Sequence, residues 1–202
     1  MRARCPHCTR PLEGCWCSCV QPISNPVPLL ILQHPDEVHQ AKNTAALLHR
    51  CLDHSTLQVG EQFAAPATMA GMVLLYPDTP GDVRLPAPPT WRQGPDGPVQ
   101  TLVVLDATWR KSRRMLYLNP WLAALPRLSL QAAPPSRYAI RRAQGEDQRS
   151  TLEASAWALA QLDGNTGRYA PLWRAMEGFV ALQQRLLRDG RARRTQAADH
   201  SS

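Results

Sequence analysis

The sequence predicts an α/β fold, with a mainly parallel sheet flanked by helices. Three short segments, 29–32, 72–76 and 101–105, consist almost wholly of apolar residues. Such runs are typical of strands that bury both faces, because helices cover a parallel sheet on its two sides. Segments with the apolar spacing of helices alternate with these runs, and this order is typical of α/β proteins.

The first half of the main domain contains two of the predicted strands. After 29–32, apolar side chains recur on one helical face and Asp36 is a candidate N-cap, so we expect a helix over 36–52. The second strand, 72–76, ends at Pro77, which cannot donate to a sheet ladder. Residues 77–99 are rich in Pro, Gly and Asp, and this composition predicts a long loop.

The second half begins with the strand 101–105, followed by a predicted helix over 109–118 and a short strand over 127–130. Residues 150–153 read Ser-Thr-Leu-Glu, the form of a capping box, and an apolar stripe follows them to 162. Apolar positions between 172 and 186 predict a last helix. Beyond Asp189 the chain is rich in arginine and then polar, so we expect a frayed tail.

Composition excludes several classes of protein. The chain of 202 residues is 44% hydrophobic and 19% charged, which is typical of a globular domain with an appendage. No apolar segment approaches the length of a transmembrane helix, and the first residues lack the apolar core of a secretory signal. We therefore expect a cytoplasmic protein. The net charge of +7 favours a polyanionic partner such as nucleic acid.

Five of the six cysteines lie in the first nineteen residues. In a reducing compartment such a cluster indicates metal binding rather than disulfides. Two chelating pairs can close around one tetrahedral zinc ion, whose role is then structural because no coordination position stays open. The preferred ligands are Cys5, Cys8, Cys15 and Cys17. Cys19 in place of Cys17, or participation of His7, are the alternatives.

Polar motifs follow the ends of the three predicted strands. They are Gln-His-Pro at 33–35, Tyr-Pro-Asp at 76–78 and Asp-Ala-Thr-Trp at 106–109. Ligands of open parallel sheets bind outside the carboxyl ends of the strands. The sequence therefore predicts a ligand site at this edge, with Asp106 and Trp109 either in it or as a helix cap and a packing residue.

The ordered set of motifs resembles the DTW-domain family of tRNA-uridine aminocarboxypropyltransferases. The matching pieces are Cys-Pro-His-Cys at 5–8, Cys-Trp-Cys at 15–17, Leu-Gln-His-Pro at 32–35, Asn-Thr at 43–44, Leu-Tyr-Pro at 75–77, Leu-Asp-Ala-Thr-Trp at 105–109, Asn-Pro-Trp-Leu at 119–122, Ser-Arg-Tyr at 136–138 with Arg141, and Ser-Thr-Leu-Glu-Ala at 150–154. The chain has Ala107 between the Asp and the Thr of the family's name.

This resemblance implies a SPOUT-like, knotted fold with a zinc-binding ribbon over 1–24, a catalytic domain over 25–188 and a flexible basic and polar tail over 189–202. It implies S-adenosylmethionine as donor and tRNA as partner. The 3-amino-3-carboxypropyl group would pass to N3 of a uridine, at tRNA position 47, with release of methylthioadenosine. A SPOUT-type RNA methyltransferase and a non-enzymatic zinc-ribbon RNA-binding module are the alternatives.

The implied site has one candidate catalytic residue and a set of candidate cofactor contacts. Uridine N3 carries a proton at neutral pH, so a base helps the transfer, and Asp106 is the candidate. A purely electrostatic or positioning role for Asp106 is the alternative. Ser150 and Glu153 also have the capping role. The expected cofactor contacts are Thr44, Leu75, Tyr76, Pro77, Leu105, Thr108, Trp109, Arg137, Tyr138, Arg141, Ser150, Thr151 and Glu153.

Basic residues cluster after Trp109 and again over 137–149. Arginine and lysine side chains bind the phosphates of a folded RNA, although the same pattern fits a solvated helix face. The expected RNA contacts are Arg110, Lys111, Arg113, Arg114 and Arg142. The chain contains neither a Gly-x-Ser-x-Gly elbow nor a glycine-rich phosphate loop, so hydrolase and nucleotide-hydrolysing functions are disfavoured.

Overall fold

The structure of the protein, a computed structural model, describes residues 3–77, 82–85, 88–92, 96–130 and 149–199, with side chains up to Arg191. A five-stranded sheet forms the centre of this part of the chain, with strand order β2-β1-β4-β3-β5. Its strands are β1 (Leu29–Gln33), β2 (Ser55–Val59), β3 (Met72–Leu75), β4 (Thr101–Asp106) and β5 (Arg127–Leu128). Every pairing between these strands is parallel, which confirms the predicted α/β class with a mainly parallel sheet.

Helices cover both faces of this sheet. They are α1 (Ala45–Cys51), α2 (Trp109–Leu118), α3 (Pro120–Ala123), α4 (Thr151–Asp163) and α5 (Ala170–Asp199), with short 3₁₀ helices at Leu12–Gly14, Cys17–Cys19 and Pro35–Glu37. Within the described residues, no helix is both long enough and apolar enough to cross a bilayer.

Alternation along the strands divides the core into two layers. Ile31 and Val104 face a cluster formed with α1, α4 and α5, whereas Leu32 and Val103 face a cluster formed with α2 and α3. Because side chains of a strand point to opposite faces in turn, each apolar strand contributes to both layers. The wholly apolar runs of the sequence are explained by this arrangement.

The segment after β1 differs from the predicted helix over 36–52. The Nδ1 atom of His34 accepts a hydrogen bond from the Asp36 amide and caps the short 3₁₀ helix. The regular helix α1 begins only at Ala45, whose amide donates to Oδ1 of Asn43 at 2.9 Å. The prediction of one continuous helix was wrong because these two side chains bind local backbone amides and end the regular repeat.

Two further elements were not predicted. β2 is an edge strand with the sequence Ser-Thr-Leu-Gln-Val, whose residues are all half-buried or exposed, so it lacks an apolar run. α3 is a single turn that starts at Pro120.

At the other end of the chain, α5 continues to Asp199, beyond the position at which the sequence pattern indicates a frayed tail. Residues 191–198 are mostly Arg, Ala, Gln and Thr, and the first three of these favour helix.

The N-terminal segment 3–24, which we call the cysteine module, packs against α5. A β-carbon built on Gly178 of α5 would lie only 3.2 Å from the Sγ atom of Cys19. Gly14 lies against Leu186 of the same helix, where a β-carbon would meet the leucine at 3.6 Å. The glycine in α5 therefore provides the space in which the second 3₁₀ helix of the module approaches the helix backbone.

Candidate functional site

Asp106 is the last residue of β4, and it pairs in register with Gln33, the last residue of β1. The chain continues from β1 to β2 on one side of the sheet and from β4 to β5 on the other. In an open parallel sheet, the crevice between two strands whose connections diverge in this way is the usual place for a ligand. The topology therefore assigns the candidate site to the carboxyl ends of β1 and β4.

The carboxylate of Asp106 is held by three side chains from three different segments. Its Oδ2 atom accepts hydrogen bonds from Nε2 of Gln33, at 2.8 Å, and from Nδ2 of Asn43. Its Oδ1 atom accepts a hydrogen bond from the Thr151 hydroxyl at the start of α4. Asp106 is only 5% exposed, so these contacts replace most of its hydration. The carboxylate joins β1, β4, the start of α1 and the start of α4.

The start of α4 is fixed by the predicted capping box. The Ser150 hydroxyl accepts from the Glu153 amide, and the Glu153 carboxylate accepts from the Ser150 amide at 3.0 Å. The Leu152 amide donates to the hydroxyl of Thr44, which precedes α1. Two helix N-termini are thereby held against the ends of β1 and β4. An N-terminus carries a partial positive charge that favours anionic ligand groups.

On the opposite face of the sheet, an aromatic pair follows β3 and opens α2. The rings of Tyr76 and Trp109 meet edge to face with centroids 5.3 Å apart. The Ser112 hydroxyl donates to the Trp109 carbonyl, so the Tyr76 hydroxyl donates to Ser112, at 2.9 Å. Burial raises the pKa of Tyr76 above its ordinary value of 10. The guanidinium of Arg127 lies over the ring of Tyr76, 5.1 Å from its centre.

The remaining predicted contacts near this edge differ in their accessibility. Leu75 is buried, Leu105 is half-buried and Pro77 is exposed. The Tyr76 amide donates to the carbonyl of Leu128, which places the end of β5 beside the end of β3. The next hydroxyl, Oγ of Ser129, is buried and has no hydrogen-bond partner among the described residues. A buried hydroxyl of this kind is available to a polar ligand atom.

His34 has a structural environment at the end of β1. Its Nδ1 atom accepts from the Asp36 amide, so Nε2 is the ring nitrogen that donates to Glu61, at 2.9 Å. Glu61 also pairs with Arg114 at 3.1 Å. The hydrogen bond from His34, with Arg114 nearby, holds the pKa of the Glu61 carboxyl below 4.5. Both ring nitrogens of His34 are therefore engaged within the protein.

Three of the four predicted basic contacts on α2 are in ion pairs. Lys111 pairs with Glu37 at 2.9 Å and also with Asp36. Arg113 pairs with Asp82, and Arg114 with Glu61. These carboxylates lie on neighbouring segments, and they offset the positive charge of the three side chains of α2. Arg110 is exposed and forms no ion pair with the residues described by the structure.

The four preferred cysteines of the sequence lie together. The Sγ atoms of Cys5, Cys8, Cys15 and Cys17 are all within 4.8 Å of one another, so the cluster can hold a metal ion. Cys19 is not among them and instead packs against α5, and His7 is not in the cluster either. The structure therefore places Cys17, rather than Cys19, in the cluster that can hold a metal ion.

The electrostatics of the cluster suit a cation. The Cys8 and His7 amides donate to the sulfur of Cys5 and lower the pKa of that thiol to about 6. Burial, together with the neighbouring thiols, raises the pKa of Cys17 to about 12. The sulfur of Cys5 is thus stabilised as a thiolate by backbone amides. The closeness of the four sulfurs opposes deprotonation of the others until a metal ion compensates the negative charge.

Comparison with known proteins decides the family. The family model described as "DTW domain" matches residues 2–184. This chain belongs to the DTW domain family. A Mus musculus relative named "tRNA-uridine aminocarboxypropyltransferase 2" is 29% identical over 196 residues, which cover 90% of this chain and 64% of the relative. A Drosophila melanogaster relative of the same name is 31% identical over 175 residues, covering 80% of this chain and 67% of the relative.

This DTW domain thus spans 64% of the length of its mouse relative. No solved structure matches it. Four of its predicted contacts, Arg137, Tyr138, Arg141 and Arg142, lie outside the described residues. The structure places the other predicted site residues at three locations: the strand ends with the adjoining helix starts, the helix α2 and the cysteine module.

Sequence reasoning did not assign roles to two residues of this DTW domain that contact Asp106. Gln33 and Asn43 both stand in quoted motifs, yet neither has a local pattern that indicates its partner. The signal for Gln33 is an amide side chain that ends an apolar strand, where it needs a polar partner once buried. The signal for Asn43 is its position just before a helix, which predicts an N-terminal cap.

Proposed function

We propose that this DTW domain transfers the 3-amino-3-carboxypropyl group of S-adenosylmethionine to N3 of a uridine in tRNA, at position 47, and releases methylthioadenosine. The names of its relatives support the reaction class. The observation that carries the proposal is the Asp106 carboxylate, buried and fixed by three donors at the sheet edge where ligands bind. The proposal includes the SPOUT-like, knotted class for the α/β domain, which the family resemblance implies.

The residues at the strand ends fit the donor. The Ser129 hydroxyl, which has no hydrogen-bond partner among the described residues, offers a hydrogen bond to a polar edge such as that of adenine. Leu75 and Leu105, at and next to the ends of β3 and β4, offer apolar walls. The start of α4 favours a carboxylate, and Asp106 favours a cationic group. The proposed contacts are Thr44, Leu75, Tyr76, Pro77, Leu105, Thr108, Trp109, Ser150, Thr151 and Glu153, with Arg137, Tyr138 and Arg141.

S-adenosylmethionine supplies an electrophilic carbon beside its sulfonium, and the bond from this carbon to sulfur breaks as its bond to uridine N3 forms. The protein must present the amino-acid side of the donor, rather than its methyl group, to the uridine. The proton of N3 must also leave. We assign Oδ1 of Asp106 to this proton, because Oδ2 already accepts two amide hydrogen bonds whereas Oδ1 accepts only that of Thr151.

The cysteine module is proposed to bind zinc. Four thiolates are the ligand set that tetrahedral zinc prefers, and they leave no position for a substrate. The metal would then stabilise the module and its contact with α5. The role of this zinc is structural.

The proposed RNA contacts are Arg110, Lys111, Arg113, Arg114 and Arg142. Among those on α2, Arg110 contributes most of the charge that the described residues leave unpaired, because ion pairs to Glu37, Asp82 and Glu61 offset the charge of its neighbours. RNA phosphates compete with those carboxylates for the same side chains. This competition predicts a smaller contribution from each paired residue.

The proposed reaction is tested by incubating the purified protein with S-adenosylmethionine and unmodified tRNA, followed by mass analysis of the nucleosides. We expect an aminocarboxypropyl uridine and an equal amount of methylthioadenosine. A methylated nucleoside with S-adenosylhomocysteine would instead establish an RNA methyltransferase. Binding of tRNA without any affinity for S-adenosylmethionine would establish a non-enzymatic RNA-binding module.

A further inference from the structure

Trp109 is exceptional among the large apolar side chains of the described residues. The residue is 51% exposed, and it is the only aromatic residue among the exposed large hydrophobic ones in that part of the chain. It is the first residue of α2, three residues after Asp106 ends β4, so it lies near the same carboxyl edge of the sheet, on the α2 face. An exposed indole contributes little to the free energy of folding, because that contribution comes from the burial of apolar surface.

The indole is nevertheless held in a fixed orientation. The buried ring of Tyr76 meets it edge to face at an interplanar angle of 81°. Tyr76 is itself fixed by its hydrogen bond to Ser112 and by the guanidinium of Arg127, which is fully buried. Because the supporting groups are packed in the core, a ligand that stacks on Trp109 needs little further ordering of the protein.

The neighbouring charge indicates the chemistry of that ligand. Arg110 follows Trp109 directly, and it is the basic residue of α2 that forms no ion pair with the described residues. An aromatic surface beside an exposed guanidinium suits a nucleobase attached to a phosphodiester. A small ligand such as the donor would be enclosed by its pocket, whereas a half-exposed indole remains open to a macromolecule.

We propose that Trp109 is the stacking surface for the acceptor uracil, with Arg110 on an adjacent phosphate. This inference rests on the proposed function, in which an unpaired base of the RNA must reach the donor. Unstacked bases of RNA loops are commonly bound on aromatic side chains. Trp109 then sets the position of the base and leaves the proton of N3 to Asp106.

The test compares Trp109→Ala and Trp109→Phe with Leu187→Ala, a control on α5 whose leucine is 50% exposed. Each protein is titrated with S-adenosylmethionine and, separately, with a single-stranded RNA that contains either a uridine or an abasic site. We expect Trp109→Ala to weaken uridine RNA binding by roughly 5- to 150-fold, the range of one stacked base. Trp109→Phe should lose less. Because Trp109 is also among the proposed donor contacts, its replacement by Ala should weaken S-adenosylmethionine binding less than it weakens uridine RNA binding.

The abasic RNA provides the discriminating readout. It should bind wild type and Trp109→Ala equally, because it lacks the base that stacks. Equal loss of S-adenosylmethionine affinity in Trp109→Ala would overturn the inference and assign the indole to the donor. Unchanged uridine binding in Trp109→Ala would also overturn it.

Failure of the proposed reaction has a different signature. The wild-type protein could transfer no aminocarboxypropyl group while Trp109→Ala still weakens uridine binding. That result would refute the enzyme activity and support the stacking surface. Alternatively, the wild-type protein could transfer the group while Trp109→Ala leaves the KM for tRNA unchanged. That result would support the activity and refute the stacking surface.

Discussion

Gln33 and Asp106 end two adjacent parallel strands, and the glutamine amide donates to the aspartate carboxylate at 2.8 Å. Asn43 donates to the same oxygen. An oxygen with two amide donors has little capacity left for a substrate proton. Any proton transfer by Asp106 is therefore expected at Oδ1, the oxygen that accepts from Thr151.

Asp106→Asn separates proton transfer from positioning. The asparagine carbonyl can replace Oδ2 as the acceptor for Gln33 and Asn43, and its amide can donate to the Thr151 hydroxyl once that hydroxyl rotates. We expect the free energy of unfolding to change little, while the transfer rate falls by roughly 10²- to 10⁴-fold, the usual contribution of a general base. Urea unfolding and single-turnover kinetics measure the two effects.

Asp106→Ala is the matched comparison, because it removes the acceptor altogether. The amides of Gln33 and Asn43 then lack a partner in a buried site, and each orphaned donor costs about 1–3 kcal/mol. We expect a clearly less stable protein. Near wild-type turnover by Asp106→Asn would show that Asp106 only positions its neighbours.

Metal content distinguishes Cys17 from its neighbour in sequence, Cys19. Because Cys17 lies in the four-sulfur cluster and Cys19 packs on α5, Cys17→Ser should lose zinc whereas Cys19→Ser should retain it. Elemental analysis of the purified variants measures the zinc per chain. An equal loss of zinc from both variants would contradict the assigned ligand set.

Gly178 should tolerate no branched side chain while Cys19 is present. A β-carbon at this position already lies 3.2 Å from Sγ, so Gly178→Val should lower the melting temperature through overpacking. Cys19→Ala removes the sulfur and should restore part of the loss in the double variant. Thermal unfolding of the two single variants and the double variant tests this coupling, and strictly additive effects would refute it.

Acid stability should depend on Asp82. The Tyr117 hydroxyl, together with Arg113, holds the pKa of the Asp82 carboxyl below its ordinary value of 3.8. A depressed folded-state pKa contributes stability above the unfolded value, and this contribution is lost as the pH falls through the folded value. Tyr117→Phe should therefore reduce the stability lost between about pH 5 and pH 2. Urea unfolding across this range measures the difference, and parallel curves for both proteins would exclude the contact.

Salt dependence should distinguish two adjacent cations on α2. We expect tRNA affinity to fall steeply as salt is added. Arg110→Ala should reduce the slope of log K against log salt by about 1, the value for one lost phosphate contact. Lys111→Ala also removes one positive charge, but Glu37 and Asp36 already offset that charge. The slope of this variant should therefore stay closer to that of wild type. A flat response in wild type, or equal slopes in both variants, would count against Arg110 as the principal contact.

The sequence predicts the elements whose signals are local. The helix over 109–118 coincides with α2, and the capping box at 150–153 forms both of its hydrogen bonds. These features depend on residues within a few positions of one another. The edge strand β2 lacks such a signal. Its residues are half-buried or exposed, so polar side chains are tolerated at any position and no regular apolar pattern is needed.

The candidate site required tertiary structure for its completion. Asp106 is recognisable as a polar residue at a strand end, but Gln33 and Asn43 lie 73 and 63 residues before it. No periodicity connects residues at these separations. The side chains meet only because β1 and β4 are adjacent and because the start of α1 folds over them.

The position of β4 has a consequence for biosynthesis. This strand lies between β1 and β3, both of which leave the ribosome before it does. Until β4 has been translated, β1 keeps one hydrogen-bonding edge open, and β3 keeps both edges open because its other neighbour, β5, is translated later still. Such edges and apolar faces on a nascent chain invite intermolecular pairing, so chaperone contact is most useful in this interval of synthesis.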